Sequence, residues 1–162
     1  THPDNANAEG WADMYVTIRA ALDAVKPLNV RLAFEPEPGN VVRTAEDAAR
    51  LINEIGNPAL GVVFDPANIL AGVPETEPVE VIRHVIELVG YRTFLAHGKD
   101  LGADGLPCAA GTGIVPWNEV VRGLIFAGYG GPLVLHGLTE EELPASLEIL
   151  DRIPGTSRRR GD

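Results

Sequence analysis

The sequence predicts an α/β fold, a partial (β/α)8 barrel of four parallel strands with flanking helices, and three observations carry that reading. Short apolar runs alternate with stretches of helical periodicity. The runs are strand-length and apolar on both faces, as strands inside a parallel sheet are. Four of them end on Glu35, Asp65, His97 and His136, side chains that can bind a metal. All strands of a parallel barrel point the same way, so their last residues meet at one shared face.

The elements follow in order. Glu9 to Lys26 reads as a helix, because Trp11, Met14, Ile18, Leu22 and Val25 recur at helical spacing and Pro27 stops it. The first strand, Val30 to Glu35, ends at Pro36-Glu37-Pro38-Gly39, a turn that cannot continue a strand. Thr44 caps a second helix, with Asp47 in a capping-box position. Ala45, Ala48, Ile52 and Ile55 form its buried stripe, and Gly56-Asn57-Pro58 ends it. The second strand, Leu60 to Asp65, leads through a loop to a helix opening at Pro78, with Ile82, Val85, Ile86 and Val89 on one face. The third, Tyr91 to His97, leads through a Gly-rich loop to a helix opening at Pro116, striped by Trp117, Val120, Val121 and Leu124 and closed by Gly128. The fourth, Leu133 to His136, leads to a second capping box, Thr139 with Glu142, and to a helix lined by Leu143, Leu147 and Leu150.

A whole barrel takes about 250 residues. The 162 residues present, with four strands and five helices, read as its C-terminal half over residues 1–155, followed by a polar basic tail over 156–162. An open four-stranded α/β sandwich is the alternative; no strand is followed by the G-x-G-x-x-G of a dinucleotide fold. Half a barrel exposes two sheet edges and an apolar inner face. Self-association is therefore expected, for instance as a homodimer closing one ring, together with dependence on the missing N-terminal half-barrel.

Hydrophobic residues make up 45% of the chain, which places it among folded globular proteins. A net charge of −10 argues against a duplex-DNA footprint. The one basic run, Arg158 to Arg160, reads as a solvated tail. No run approaches the ~20 apolar residues of a membrane span. The N-terminus, Thr1-His2-Pro3-Asp4-Asn5, lacks the pattern of a signal peptide, and without an initiator Met the chain is expected to begin inside a longer one. Cys108 is alone, which rules out an internal disulfide and fits a reducing cytoplasm.

Five motifs carry a resemblance. They are Phe34-Glu35-Pro36, Val63-Phe64-Asp65-Pro66-Ala67-Asn68, Ala96-His97-Gly98-Lys99-Asp100, Gly111-Thr112-Gly113, and the run from Gly128 to Leu135. In this order and at strand ends, they resemble the sugar phosphate isomerase/epimerase family of the xylose isomerase-like TIM-barrel superfamily, over nearly the whole chain from Trp11 to Leu150. The resemblance implies metal ligands Glu, Asp, His and Glu at the ends of strands five to eight. Glu35, Asp65 and His97 match the first three, and His136 stands where the epimerases carry Glu. Asn68 stands where a substrate-binding His is usual, and Ala103 where some epimerases have a substrate-holding Arg.

Two carboxylates and two imidazoles suit one Mn, Co, Fe or Zn ion better than Mg, which prefers all-oxygen sites. Isomerisation and epimerisation move a proton beside a carbonyl. A divalent ion stabilises the charge that develops on oxygen, one group removes the proton, and another returns it. Glu35 is expected as the base. His136 is expected either as its partner or as a metal ligand, since a metal-bound nitrogen cannot also shuttle a proton. Asn68, Lys99, Asp100 and His2 are expected substrate contacts, with Asp100 alternatively orienting His97 or capping its loop. Gly111-Thr112-Gly113 reads as a flexible loop rather than a phosphate cradle, because the next helix begins only at Pro116.

The expectation is a cytoplasmic, divalent-metal-dependent sugar or polyol isomerase or epimerase, with a small sugar or polyol as substrate and neither nucleic acid nor membrane as partner. A keto-inositol dehydratase using the same site and a non-catalytic carbohydrate-binding barrel are the alternatives. An abasic-site endonuclease would need a three-metal cluster with more histidines than the four present.

Overall fold

The computed structural model describes residues 6–73 and 76–155. His2 and the basic tail over 156–162 lie outside the described residues. The elements are α1 (Ala8–Val25), β1 (Leu32–Phe34), α2 (Ala45–Ile55), β2 (Leu60–Phe64), α3 (Pro66–Ala71), α4 (Pro78–Val89), β3 (Thr93–Leu101), β4 (Pro107–Ala109), α5 (Trp117–Phe126), β5 (Leu133–Leu135) and α6 (Leu143–Asp151).

Four strands run parallel in the order β1-β2-β3-β5. Ala33 is level with Gly61, Phe64 with Ala96, and His97 with Val134. Among the described residues β1 pairs only with β2 and β5 only with β3, so both outer edges of this parallel sheet are open. Strand alternation sorts the side chains. Leu60, Val62 and Phe64 are buried, and Leu32, Phe34, Ala96, Leu133 and Leu135 pack with them against the helices. The helices contribute Leu22, Ala48, Leu51, Ile82, Val85, Val89, Val120, Leu124 and Leu150 to this core. Ala33 and Val134 point the other way and are exposed. The sheet is thus covered by helices on one face only, as a barrel wall is.

The structure departs from the sequence reading in three places. β3 runs on past His97 to Leu101, because a fifth strand, β4, folds back antiparallel on its end and pairs Lys99 with Ala109. A short helix, α3, follows Asp65 directly; six residues are too few to show a helical period, but Pro66 sits in its first turn and Asp65 caps it. α6 starts at Leu143 rather than at Thr139, because the Glu142 carboxylate accepts from the Thr139 N–H at 2.7 Å and closes a turn ahead of the helix.

The cap of α2 is close to the expected one. Thr44 Oγ1 accepts from Asp47 N at 3.2 Å, while Asp47 accepts from Arg43 N, one residue earlier than in a reciprocal box. Tyr129 pins β5 beside β3: its hydroxyl accepts from Ala96 N at 3.0 Å and donates to Pro132 O at 2.6 Å. No helix among the described residues is long and apolar enough to cross a membrane.

Candidate functional site

The site follows from the two-residue period of a strand. Ala33 and Val134 point to the helix-free face, so Glu35 and His136, two residues on, emerge at the same face. Asp65, after Val63, and His97, after Leu95, do likewise. The four side chains meet at the C-terminal ends of the four parallel strands.

Their distances are short. Asp65 Oδ2 lies 3.2 Å from His97 Nδ1 and 3.3 Å from His136 Nε2, and the two ring nitrogens are 3.0 Å apart. The rings meet edge to face at 69°. Among the described residues these three side chains form a group whose ligand atoms all lie within 4.8 Å of one another. Glu35 stands at its edge, with Oε1 3.4 Å from His97 Nδ1.

Asp65 serves two structures at once. Its Oδ1 accepts from Asn68 N at 3.0 Å and caps α3, which frees Oδ2 for the cluster. Lys99, two residues beyond His97, joins on the same face. Its Nζ lies 2.9 Å from Asp65 Oδ2 and donates to Asn68 Oδ1 at 2.8 Å. The Asn68 amide in turn donates to Glu35 Oε1 at 2.7 Å, so one side chain links the base candidate to the ammonium.

The two carboxyls are tuned apart. Burial raises the Glu35 carboxyl above its ordinary value; His97 opposes this, and the Asp65 charge adds to it. Burial pushes Asp65 the same way, but hydrogen bonds from Lys99 and from the Asn68 N–H, with the Lys99 charge, outweigh it and leave Asp65 below its ordinary value. Asp65 is therefore the better permanent anion and Glu35 the better proton acceptor.

Asp100 does not join the cluster. It follows Lys99 and so points to the opposite face, where it is fully buried. Its carboxylate accepts from Leu101 N, Gly111 N, Val115 N and Trp117 Nε1 at 2.8–2.9 Å. The expected substrate contact is thus corrected to the loop-capping alternative, because three of these bonds, from Gly111 N, Val115 N and Trp117 Nε1, tie β3 to the loop and helix that follow. Sequence reasoning offered the capping role but not its partners, although the period that put Lys99 on the inner face also turns Asp100 away from it. The same bonds take the N–H groups of Gly111 and Val115, and those of Thr112 and Ile114 go to Ala109 O and Leu101 O, which does not favour a phosphate cradle here.

The donor set fits a divalent ion. Two ring nitrogens and a carboxylate oxygen stand 3.0–3.3 Å apart; each atom type can give an electron pair to a metal, and one cation among them would satisfy all three. Ligands about 2.1 Å from one ion stand about 3.0 Å apart at a right angle and about 3.4 Å apart at a tetrahedral angle. The triangle falls inside that range.

Comparison with known proteins agrees with this fold. The family model described as xylose isomerase-like TIM barrel matches residues 1–153. A search of curated proteins returned no match. Among solved structures, a xylose isomerase domain protein from Planctomyces limnophilus superposes with a TM-score of 0.69 at 24% identity, over 87% of this chain and 52% of its own. The IOLI protein, solved with a bound zinc atom, gives 0.68 at 16% identity, over 88% and 56%. An L-ribulose 3-epimerase gives 0.60 at 18% identity, over 100% and 50%. The chain thus spans about half the length of the solved structures it matches. With the parallel sheet, its single helical layer and the strand-end cluster, the match establishes that this chain is part of a TIM barrel and belongs to the xylose isomerase-like TIM-barrel family.

Proposed function

We propose that this chain carries the metal centre and the base of a divalent-metal-dependent sugar or polyol isomerase or epimerase. The observation that supports it most is the triangle of Asp65, His97 and His136 with Glu35 beside it, at the C-terminal strand ends where barrel enzymes keep their active sites. Asp65, His97 and His136 would hold the ion, with Glu35 at the edge of its sphere. When bound, the ion supplies Lewis-acid polarisation of a substrate carbonyl.

The chain's own residues do the rest. Glu35, made more basic by burial, takes the proton from the carbon beside the carbonyl. Asn68 holds Glu35 Oε1 in place. Lys99 keeps Asp65 charged. His136, its side chain 40% exposed, closes the triangle as a ligand, so the group that returns the proton is not assigned to it. Two of the similar structures support the reading: the IOLI protein holds zinc, and another is an L-ribulose 3-epimerase. The nitrogen-rich donor set favours Mn, Co, Fe or Zn over Mg.

The open edges of β1 and β5 would be closed by four further strands, which makes residues 1–155 the C-terminal half of an eight-stranded barrel. The remainder of the protein is the partner proposed for these edges, ahead of a second copy of this chain.

The test uses the full-length protein loaded with manganese and a panel of ketoses in deuterated water. Isomerisation or epimerisation by a protein base leaves product mass unchanged apart from deuterium gained at the transferred position. Glu35→Gln is expected to keep metal binding within about threefold while turnover falls by about a hundredfold or more. Loss of water from the product would instead make the protein a dehydratase. Metal binding with no turnover of any ketose would favour a binding barrel.

A further inference from the structure

We infer that the floor of the barrel is closed by an ion pair between Arg31 and a carboxylate on the first or third strand, supplied by the remainder of the protein. This rests on the half-barrel reading above, not on the metal, and names the partner chemistry that the inner face requires.

The first observation is a contact that spans three strands. Arg31, two residues before Ala33, faces the helix-free side, and its guanidinium lies 4.3 Å from the centre of the Phe94 ring. β2 stands between them. Its residue there is Gly61, level with Ala33. The Phe94 ring fills the place of the absent side chain, since a Cβ on Gly61 would come within 2.6 Å of it. In the closed barrel β1 and β3 are strands five and seven. A barrel interior is filled in layers of four side chains drawn from alternate strands. Arg31 and Phe94 therefore make half of one layer, and strands one and three supply the other half.

The second observation is charge. A guanidinium stays ionised and carries five N–H donors. Among the described residues no carboxylate pairs with Arg31. Stacking on a phenyl face holds a guanidinium in place but satisfies none of those donors. Inside a closed barrel the charge needs a partner. The inward positions between this layer and the metal cluster, Ala33, Val63, Leu95 and Val134, are all apolar. Glu35 is four residues further along the strand, about 13 Å away. The carboxylate therefore comes from the other half.

The third observation decides between occupants. In a ring closed by a second copy of this chain, the copy's β1 and β3 would take the places of strands one and three. The floor layer would then hold two arginines and two phenylalanines, with no anion between the like charges. A face that requires an acidic partner thus disfavours a copy of itself.

Urea unfolding of the full-length protein tests this through a double-mutant cycle. Arg31→Met is combined with Asp→Asn or Glu→Gln at each acidic residue that strands one and three turn inward at the floor. Arg31→Met alone should lower the folding equilibrium constant by at least about a hundredfold, because it leaves a buried carboxylate without its partner. One acidic substitution should cost a similar factor. The double variant should then stand at least about tenfold above the product of the two losses. Arg31→Met within about threefold of wild type would place Arg31 in water and overturn the inference. So would a loss that couples to no acidic residue of those strands, or a remainder with no Asp or Glu at either floor position. Those results leave solvent or a second copy over the floor. If the single variants do not fold, the double variant decides: its folding supports the pair, and its failure overturns it. Manganese uptake by the wild type is read separately, and its absence would overturn the metal reading while leaving this one standing.

Discussion

Asp65→Asn is expected to lower manganese affinity by at least about a hundredfold and to destabilise the fold by about 3 kcal/mol. The amide oxygen can still accept from Asn68 N, so the cap of α3 survives. What disappears is the charged oxygen on which His97, His136 and Lys99 converge. Lys99 is then left with its charge nearly buried and only Asn68 to satisfy it. The pH dependence has a fixed sign. Asp65 lies below its ordinary value of 3.8 in the folded protein, held there against burial by Lys99 and by the Asn68 N–H. A depressed carboxyl stabilises the fold above that ordinary value and loses the contribution as pH falls through the folded value. The stability gap between wild type and Asp65→Asn should therefore close on acidification. Calorimetric metal titration and urea unfolding across pH measure both effects. Unchanged metal affinity would remove Asp65 from the ligand set.

Asp100→Ala should do more damage to the fold than any substitution in the metal cluster. Four donors, the N–H groups of Leu101, Gly111 and Val115 and the Trp117 indole, would lose their acceptor in a fully buried position. Each orphaned buried donor costs about 1–3 kcal/mol, so the total, at about 4 kcal/mol or more, approaches the ~5–15 kcal/mol that holds a typical domain together. Asp100→Asn keeps one acceptor oxygen but turns an NH2 toward the other donors, and should recover only part of the loss. Hydrogen exchange at Leu101, Gly111 and Val115 would report the hub directly. A variant within about 1 kcal/mol of wild type would show that water replaces the carboxylate.

The sequence made the parallel strands and their strand-end side chains legible because both depend on a simple period. Four apolar runs ending on Glu35, Asp65, His97 and His136 needed only the direction of a parallel sheet to bring them together. Placing Lys99 on the same face needed only the alternation of side chains. What stayed hidden depends on long-range partners. β4 exists because residues 107–109 have the end of β3 to pair with, and three residues carry no pattern of their own. α3 is shorter than two turns, and its signal was confined to Asp65 and Pro66. Asp100 was placed among the substrate contacts, with loop capping as the alternative, because its neighbours in the motif are His97 and Lys99. Three of its four partners lie 11–17 residues further on, in a loop and a helix start that no local spacing connects to it. The link from Glu35 through Asn68 to Lys99 was hidden for the same reason, since its members come from the end of β1, from α3 and from β3.

The proposed function stands on Asp65, His97 and His136 holding one divalent ion. Anomalous diffraction from crystals of the full-length protein, grown with zinc and recorded above and below the zinc edge, tests it most directly. One strong peak is expected within about 2.0–2.3 Å of Asp65 Oδ2, His97 Nδ1 and His136 Nε2. No peak there at saturating zinc, with the three side chains still in contact, would contradict it.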